Sequence, residues 1–307
     1  MIVFHPAIAE LTINITSPNG TTVTLHNNTP PVNTPPLPPE NTIRVIYDDN
    51  GAVAGVITQD MGVAADGEHK PDFQPGMEIH AKYTLFAEGA RGSLTKQLKA
   101  KYDLEKDCQP QTYGLGMKEL WEIDPKKHVP GRVIHTQGWP LDNDSWGGGF
   151  LYHISDNQVA LGFVVALDYA NPYLRPYEEF QRWKHHPDIL DMLEGGKRVA
   201  YGARVINEGG WQSVPQLAFP GGALIGCCAG FVNVPRIKGS HTAMKSGMLA
   251  AESVAAAIAA GKEHTQLDDY EENLRESWIA TELQKVKNAQ PAIAKLGGDF
   301  GTVLAGI

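Results

Sequence analysis

Residues 219–261 combine the residue types that let a protein main chain bind an anionic cofactor. The apolar run 223–225 is typical of a buried strand, and Gly226, Gly230 and Gly239 follow it. Glycine has no side chain, so backbone N–H groups at these positions can approach a ligand closely. The pattern predicts a strand, a glycine-rich loop and a helix, with room in the loop for a phosphate or a flavin ring.

Ser240, His241 and Thr242 are predicted to occupy the N-cap region of the Ala-rich helix that follows over 244–258. The unpaired N–H groups and the positive dipole end of that helix would then face whatever the loop binds. An ordinary strand-to-helix connection with a glycine cap is the alternative. The length of the loop and its number of glycines favour the ligand-binding interpretation.

A second stretch of bare backbone lies at Gly147, Gly148 and Gly149, between Trp146 and Phe150. Glycines flanked by aromatic side chains suit an apolar ligand that carries carbonyl groups. A tight turn beneath an aromatic lid explains the same composition equally well. The sequence contains no Gly-x-Ser-x-Gly elbow, HExxH helix, Walker loop or CxxC pair. We therefore predict no catalytic nucleophile or acid–base pair and no metal site.

The acidic composition limits the classes of partner. The 307 residues include 26 Lys and Arg against 35 Asp and Glu, and the net charge of −9 gives no attraction to nucleic acid. Lys245 and Glu252 interrupt the most Ala-rich stretch, so no apolar run is long enough to cross a bilayer. The first basic residue is Arg44, which leaves the amino end without the pattern of a secretory signal or a transit peptide.

Changes in composition divide the chain into segments. Residues 1–42 are rich in Asn, Thr and Pro, as expected of an extended linker, with a short strand possible at 22–25. A hairpin is predicted over 43–58, and a strand, a turn and a helix over 81–102. Residues 109–203 alternate strand-like runs with glycine-rich loops. This alternation indicates a sheet domain inserted between two parts of another domain.

An amphipathic helix is predicted over 266–287, with Tyr270, Leu274 and Trp278 on one stripe. Its apolar side, over 267–286, could lie in one leaflet of a membrane. Docking of the same stripe onto the core of the protein is the alternative. We expect a mixture of the two.

Several motifs resemble those of one family of flavoenzymes, the electron transfer flavoprotein:ubiquinone oxidoreductases. The similarity runs from about residue 43 to the carboxyl end and leaves out the first forty-odd residues. The motifs that carry it are YGLGMKELW at 113–121, GWPL at 138–141, GGFLYH at 148–153, DYANPYL at 168–174, FQRWKHHP at 180–187, LEGGKR at 193–198, YGAR at 201–204, NEGG at 207–210 and IKGSHTAMKSG at 237–247.

The resemblance implies an enzyme that takes electrons from reduced electron transfer flavoprotein and passes them to ubiquinone through FAD and a [4Fe-4S] cluster. It implies two turns that contact FAD, and the residues expected there are Gly89, Arg91, Gly226, Gly230, Gly239, Ser240 and Thr242. It also implies that the backbone of Gly147 and Gly148 holds the quinone head. The helix amino end would stabilise the reduced flavin, which carries negative charge.

The implied fold class is α/β with α+β character. It is an FAD-binding domain of the glutathione-reductase/hydroxylase-like type, incomplete here, with an inserted mixed β-sheet domain that binds quinone. The expected order is an unmatched segment at 1–42, a partial FAD domain at 43–108, the ubiquinone-binding sheet domain at 109–210, the return of the FAD domain at 211–262, and the start of a helical region at 263–307.

Two parts of the family pattern are missing from the sequence. The GxGxxG turn that cradles the FAD pyrophosphate is not found, and neither are the four cysteines of the cluster. We therefore expect a fragment of a longer protein that binds FAD weakly and holds no cluster. Alternatives are an inactive fragment, a non-catalytic quinone-binding module, or another flavin reductase or hydroxylase-like enzyme. The last would share the 226–247 loop but should lack the 183–187 run.

The resemblance also implies partners and a location. The expected partners are ubiquinone, electron transfer flavoprotein and a membrane surface entered from one side, with no nucleic acid. The expected location is the matrix side of the mitochondrial inner membrane in a eukaryote, or the cytoplasmic membrane in a bacterium.

Overall fold

The computed structural model describes residues 13–16, 22–25 and 43–305. Its strands are β1 Ile13–Thr16, β2 Thr22–Leu25, β3 Arg44–Tyr47, β4 Val53–Ile57, β5 Met61–Val63, β6 His69–Gln74, β7 Glu78–His80, β8 Thr84–Phe86, β9 Tyr113–Glu122, β10 Val133–His135, β11 Gly147–His153, β12 Gln158–Ala166, β13 Lys197–Asn207, β14 Ala218–Phe219 and β15 Gly222–Leu224. Its helices are α1 Ser93–Lys101, α2 Pro176–Lys184, α3 Pro187–Leu193, α4 Ser240–Ala259, α5 Asp268–Glu276, α6 Trp278–Lys285 and α7 Ala289–Ala305.

A parallel pair of strands joins distant parts of the chain. β8 pairs with β15, with Thr84 opposite Gly222 and Phe86 opposite Leu224. Parallel strands need a long crossover connection, and here the connection contains the whole of 109–210. Buried side chains from both sides of that segment share one core, Leu98 and Phe219 among them. This is the arrangement expected around an inserted domain, whose boundaries remain a prediction.

The hairpin predicted over 43–58 is confirmed. β3 and β4 pair antiparallel, and β1 pairs with β2 in the same sense. The Asp48 carboxylate accepts hydrogen bonds from the amides of Asn50 at 2.9 Å and Ala52 at 2.8 Å. An Asx turn of this kind fixes the reversal between the two strands.

The segment 109–210 forms a five-stranded sheet in the order β10-β11-β12-β9-β13. Every neighbouring pair in this sheet is antiparallel. The prediction of a mixed sheet is therefore wrong for this part of the chain. The short connection over 154–157 accounts for the antiparallel β11–β12 pair, because a tight turn can join only antiparallel strands.

The two faces of the sheet have different surroundings. Phe163 lies on the face that packs against α2, where its ring is 5.9 Å from that of Trp183 and 6.5 Å from that of Phe180. These three side chains are at most 1% exposed and belong to a second core. Strand side chains alternate between faces, so Gly148 and Val164 point the other way. That second face is turned toward the loop that leads into α4.

A charged cluster is buried in the sheet beside this second core. The Glu119 side chain is 2% exposed and accepts hydrogen bonds from Lys184 Nζ at 2.8 Å and Arg198 at 3.1 Å. Trp121 Nε1 adds a third donor at 2.8 Å. Burial alone would raise the pKa of Glu119, but the three donors outweigh burial and lower it.

Residues 266–287 form two helices rather than the single predicted one. The break falls at Ser277, whose extended backbone starts α6 and whose Oγ accepts from Ile279 N at 3.2 Å. Tyr270 and Leu274 are fully buried in the core of the protein, whereas Trp278 is 45% exposed. The break turns Trp278 away from Tyr270 and Leu274. The apolar side that was predicted to contact a membrane packs instead against the core of the protein. Within the described ranges, no helix is long and apolar enough to cross a membrane.

Candidate functional site

A cavity of about 240 Å³ lies between the second face of the sheet and the loop before α4. Its lining residues come from β10 to β13, from the loop and from α7: His135, Thr136, Gln137, Trp146, Gly147, Gly148, Val164, Ile206, Asn207, Glu208, Val232, Val234, Pro235, Ile237 and Ile293. Pockets for drug-sized ligands usually measure about 300 to 1,000 Å³. The cavity therefore suits a single substituted ring rather than a whole dinucleotide.

The loop before α4 has the predicted strand, glycine turn and helix. It leaves β15 at Gly226, which has a φ of +61°, and turns again at Gly230, with a φ of +85°. Both values lie in the left-handed region that favours glycine. The Gly226 amide donates to Ser246 Oγ at 2.9 Å, which ties the start of the loop to the helix. That amide is consequently not available to a ligand.

The helix begins earlier than predicted, at Ser240 rather than after the predicted N-cap residues 240–242. Gly239 is the N-cap and makes no side-chain capping bond, so Ser240 and His241 lie inside the first turn. Thr242 is fully buried, and its Oγ1 lies 2.5 Å from Phe231 O and 2.9 Å from Gly239 O. The Thr242 hydroxyl therefore hydrogen-bonds to carbonyl groups of the loop and is not directed at a ligand. What the first turn offers a ligand is its main-chain N–H groups and the positive helix end.

The second predicted turn, at Gly89 and Arg91, lies beside the first. The Glu88 amide lies 2.8 Å from Cys228 Sγ in the 226–230 turn. Gly89 has a φ of +91°, and a Cβ added there would meet no atom within 4 Å. Arg91 is exposed and lies over the Tyr113 ring at 5.5 Å. Two glycine turns distant in sequence thus meet, with open space at one of them.

Glu88 itself is a residue that the sequence analysis did not identify. Its carboxylate accepts from the amides of Leu94 at 3.2 Å and Thr95 at 2.6 Å. It therefore caps α1 in place of Gly92, which has no side chain to do so. The helix end at this turn already holds a negative charge, so it attracts an anion less strongly than the free end of α4 does.

Gly147 and Gly148 both line the cavity, on the same side as the loop residues 232–237. Their lack of side chains, however, is explained by the sheet. A Cβ on Gly147 would lie 2.2 Å from Val164 O, and a Cβ on Gly148 would lie 2.2 Å from Thr136 O. The Gly147 carbonyl accepts from Gly138 N at 3.0 Å. Both glycines are required by backbone packing, whatever the cavity binds.

Gly149, the third glycine of the run, contacts Trp183 on the opposite face of the sheet from the cavity. A Cβ on Gly149 would lie 2.2 Å from two indole carbons of Trp183. The same indole donates from Nε1 to Thr136 Oγ1 at 2.9 Å, and Thr136 lines the cavity. The glycine therefore lets Trp183 fix the strand that forms the cavity wall.

Replacing Gly149 with alanine should lower the free energy of unfolding by about 1 to 3 kcal/mol, because the new methyl group overlaps the buried indole. Urea unfolding followed by Trp fluorescence measures the change. Gly202→Ala is the matched control, since a Cβ added to that residue of the same sheet meets nothing within 4 Å. Equal stabilities for the two variants would contradict the packing argument.

Two buried polar residues of the cavity were missed by residue-type reasoning. Asn207 is 2% exposed, and its Oδ1 has no hydrogen-bond partner among the described residues. Glu208 is 5% exposed, and burial, together with the charge of Asp168, raises its pKa to about 8. Their only sequence signal was the NEGG run at the end of a strand, where polar residues usually mark a turn.

A polar chain runs from the cavity to the surface of the protein. His135 lines the cavity, and its Nε2 is 3.2 Å from Tyr152 Oη, which in turn accepts from Lys238 Nζ at 3.1 Å. Burial and the neighbouring Lys238 lower the pKa of His135, so its imidazole is neutral near pH 7. Within residues 43–305, no group of three metal-ligating side chains comes together.

A wider apolar groove continues from the cavity along the same face of the sheet. It has a volume of about 710 Å³ and shares Val164, Ile206 and Ile237 with the cavity. Phe150 and Tyr152 line its far part. A ring in the cavity could therefore carry a long apolar substituent that leaves along the groove.

Comparison with known proteins confirms the family resemblance. Residues 113–206 match the family model described as ETF-QO, ubiquinone-binding. The chain is 54% identical over 267 residues to the mitochondrial electron transfer flavoprotein-ubiquinone oxidoreductase of Sus scrofa, and equally so to that of Homo sapiens. It is 58% identical over 250 residues to the Arabidopsis thaliana protein. These alignments cover 81–85% of this chain and 39–43% of the relatives, so the chain spans less than half of their length.

Solved structures show the fold class. A geranylgeranyl bacteriochlorophyll reductase-like protein from Thermoplasma acidophilum superposes with a TM-score of 0.63 at 17% identity, over 86% of this chain and 60% of that one. A flavin-dependent brominase superposes with a TM-score of 0.51 at 15% identity, over 82% of this chain and 57% of that one. The predicted α/β class is confirmed.

Proposed function

We propose, from the premise that this chain belongs with the electron transfer flavoprotein-ubiquinone oxidoreductases over most of its length, that it forms the ubiquinone-reducing part of such an enzyme. The observation that carries the proposal is the cavity itself. It places Gly147 and Gly148, expected at the quinone, opposite the loop that is expected at the flavin. The cavity holds one ring, and the adjoining groove is apolar, as an isoprenoid tail requires.

FAD would be held by the two glycine turns. We assign its contacts to main-chain atoms of Gly89, Gly230, Gly239, Ser240 and Thr242, to a lesser degree to Gly226, and to the Arg91 side chain. When bound, FAD supplies the electrons that reduce the quinone. The open space at Gly89 and the free end of α4 fit an anionic cofactor.

The chain's own groups would orient the quinone and exclude water from it. Val232, Val234 and Ile293 form the apolar wall, while Thr136 and Asn207 supply polar atoms at its edge. The quinone head would lie against the main chain of Gly147 and Gly148. Electron transfer of this kind depends on distance and on redox tuning, so no nucleophile is needed.

The remaining parts of the activity belong to the longer proteins that this chain resembles. We propose that electron transfer flavoprotein is the electron donor. We also propose that the [4Fe-4S] cluster is bound by residues of the longer proteins that this chain does not contain. We also propose a location on the matrix side of the mitochondrial inner membrane, or on the cytoplasmic membrane in a bacterium. The relatives named above are described as mitochondrial.

A flavin reductase of another class is the second candidate, favoured by the fold similarity to the reductase-like protein. The run Trp183–Pro187 argues against it. That run lies within the ubiquinone-binding family match, and Trp183 supports the cavity wall through Gly149 and Thr136. The run therefore takes part in building the cavity proposed for quinone.

Quinone binding is tested by quenching of tryptophan fluorescence, because Trp146 lines the cavity. A short-tail ubiquinone should quench the wild-type chain with a saturable curve. Val234→Phe, which fills the cavity, should weaken binding by about tenfold or more. Val129→Phe adds the same bulk at a side chain that is 48% exposed and should change nothing. Quenching that never saturates, or that is equal in both variants, would remove the quinone proposal, and urea unfolding verifies that each variant is folded.

A further inference from the structure

Glu208 has a fixed position at the end of β13. Its amide donates to Thr112 O at 2.8 Å, and the residue is 5% exposed. A Cβ on Gly114 would lie 2.1 Å from Glu208 Oε1, so the carboxyl group occupies the place of a side chain on β9. Gly114 and Ile206 are cross-strand partners, and Ile206 lines the cavity. Because Gly114 has no side chain, the carboxyl group of Glu208 has room to lie at the cavity.

The carboxyl group of this buried residue has no hydrogen-bond donor within the described part of the chain, and it belongs to the lining of the cavity. Burial is the main cause that raises the pKa of Glu208 to about 8, and the charge of Asp168 adds to it. Near pH 7 the group is a neutral acid whose O–H needs an acceptor. A ligand in the cavity is the available source of one.

A quinone ring supplies only acceptors, because its carbonyl oxygens carry no hydrogen. It is therefore recognised by donors, and an ionised carboxylate would repel it. Gly147 on β11 and Gly114 on β9 are separated by β12, that is, by two strand spacings or about 10 Å. The two carbonyls of a benzoquinone point in opposite directions. One can face the glycine pair while the other faces Glu208.

We propose that Glu208, as a neutral acid, donates a hydrogen bond to the quinone carbonyl that points away from Gly147 and Gly148, and gives that oxygen its proton when the ring is reduced. This inference rests on the proposed function. Reduction of the ring to the quinol takes two electrons, which the flavin of that function would supply, and two protons. The O–H bond of Glu208 breaks as an O–H bond forms on the ring oxygen that faces it, and water supplies the proton of the other ring oxygen. The carboxylate left behind regains a proton from water.

Other titratable groups near Glu208 do not replace it. His135, on β10, lines the same cavity but hydrogen-bonds toward Tyr152 and the surface. Asp168 is exposed and acts on Glu208 only through its charge. The lining residues from β12, the 232–237 loop and α7 carry no ionisable side chain.

The test uses Glu208→Gln, which keeps a hydrogen-bond donor but cannot release a proton. Short-tail ubiquinone is titrated into the chain at pH values below and above 8. Affinity of the wild type should fall as the pH rises through the pKa of Glu208, and affinity of the variant should stay flat. With the chain in excess and dithionite as the electron source, stopped-flow absorbance should show quinol forming at least about tenfold more slowly in the variant.

Two further variants make the result decisive. Glu122→Gln makes the same substitution at an exposed position of β9 and should match the wild type. Gly114→Ala keeps Glu208 but puts a methyl group where its carboxyl lies, and should reproduce the slow rate. Saturable binding in all chains with equal rates and equal pH profiles would overturn the role of Glu208 and leave the proposed function intact. No saturable binding in the wild type would overturn both.

Discussion

Replacing Glu119 with alanine should lower the free energy of unfolding by about 3 to 5 kcal/mol, the usual cost of breaking a buried ion pair from one side. The carboxylate is 2% exposed and holds three donors, of which Lys184 is itself only 11% exposed. Without Glu119, the Lys184 ammonium would be left buried and without its counter-ion. Urea unfolding at neutral pH measures the loss.

Arg198, the more exposed partner of Glu119, provides the comparison. The Arg198 side chain is 41% exposed, so water screens its pair with Glu119, and Arg198→Ala should change the free energy of unfolding only slightly. Because burial sets the difference, the two variants should be separated by several kcal/mol. Similar losses for both would show that the cluster is solvated and that its burial has no energetic consequence.

Replacing Glu208 with glutamine should remove a dependence of stability on pH that the wild type shows. The folded pKa of about 8 lies above the ordinary value of 4.5, so the folded chain binds more protons than the unfolded chain between those values. Stability from this group is then fully present below pH 4.5 and is lost as the pH rises toward 8. The loss is on the order of 5 kcal/mol, at about 1.4 kcal/mol for each unit of pKa.

The measurement is the difference in free energy of unfolding between wild type and Glu208→Gln, taken from urea curves across that pH range. Taking the difference cancels the contributions of histidines such as His135, which both chains contain. The difference should decline as the pH rises and level off above the folded pKa. Parallel curves for the two chains would mean that Glu208 is solvated in the folded protein.

Much of the fold could be predicted from local patterns. The turn at Asp48, the apolar run before Gly226 and the Ala-rich helix each carry their signal within a few residues. The break at Ser277 could not be predicted from the stripe, because a helical period continues across a single extended residue. Whether the strands of the five-stranded sheet run parallel or antiparallel depends on which strands become neighbours, and no local pattern contains that information.

The candidate site was predicted less completely, for physical reasons. Gly147 and Gly148 were expected because bare backbone suits a ligand, and they do line the cavity, but sheet packing accounts for their lack of side chains. Thr242 was expected to face a cofactor, yet its hydroxyl binds the loop. Glu208 was missed because its importance comes from burial and from its place over Gly114, and both arise only after the chain has folded.

Tyr113, the first residue of β9, pairs with Asn207, the last residue of β13, and this pairing affects how the whole chain can fold. β8 and β15 lie far apart in sequence, and closing so long a loop is costly in entropy. Once the antiparallel sheet has formed, its first and last strands are already side by side, and the effective loop between β8 and β15 is short. Folding of the middle of the chain should therefore come first and make the later parallel pairing fast, an order set by topology rather than by stability.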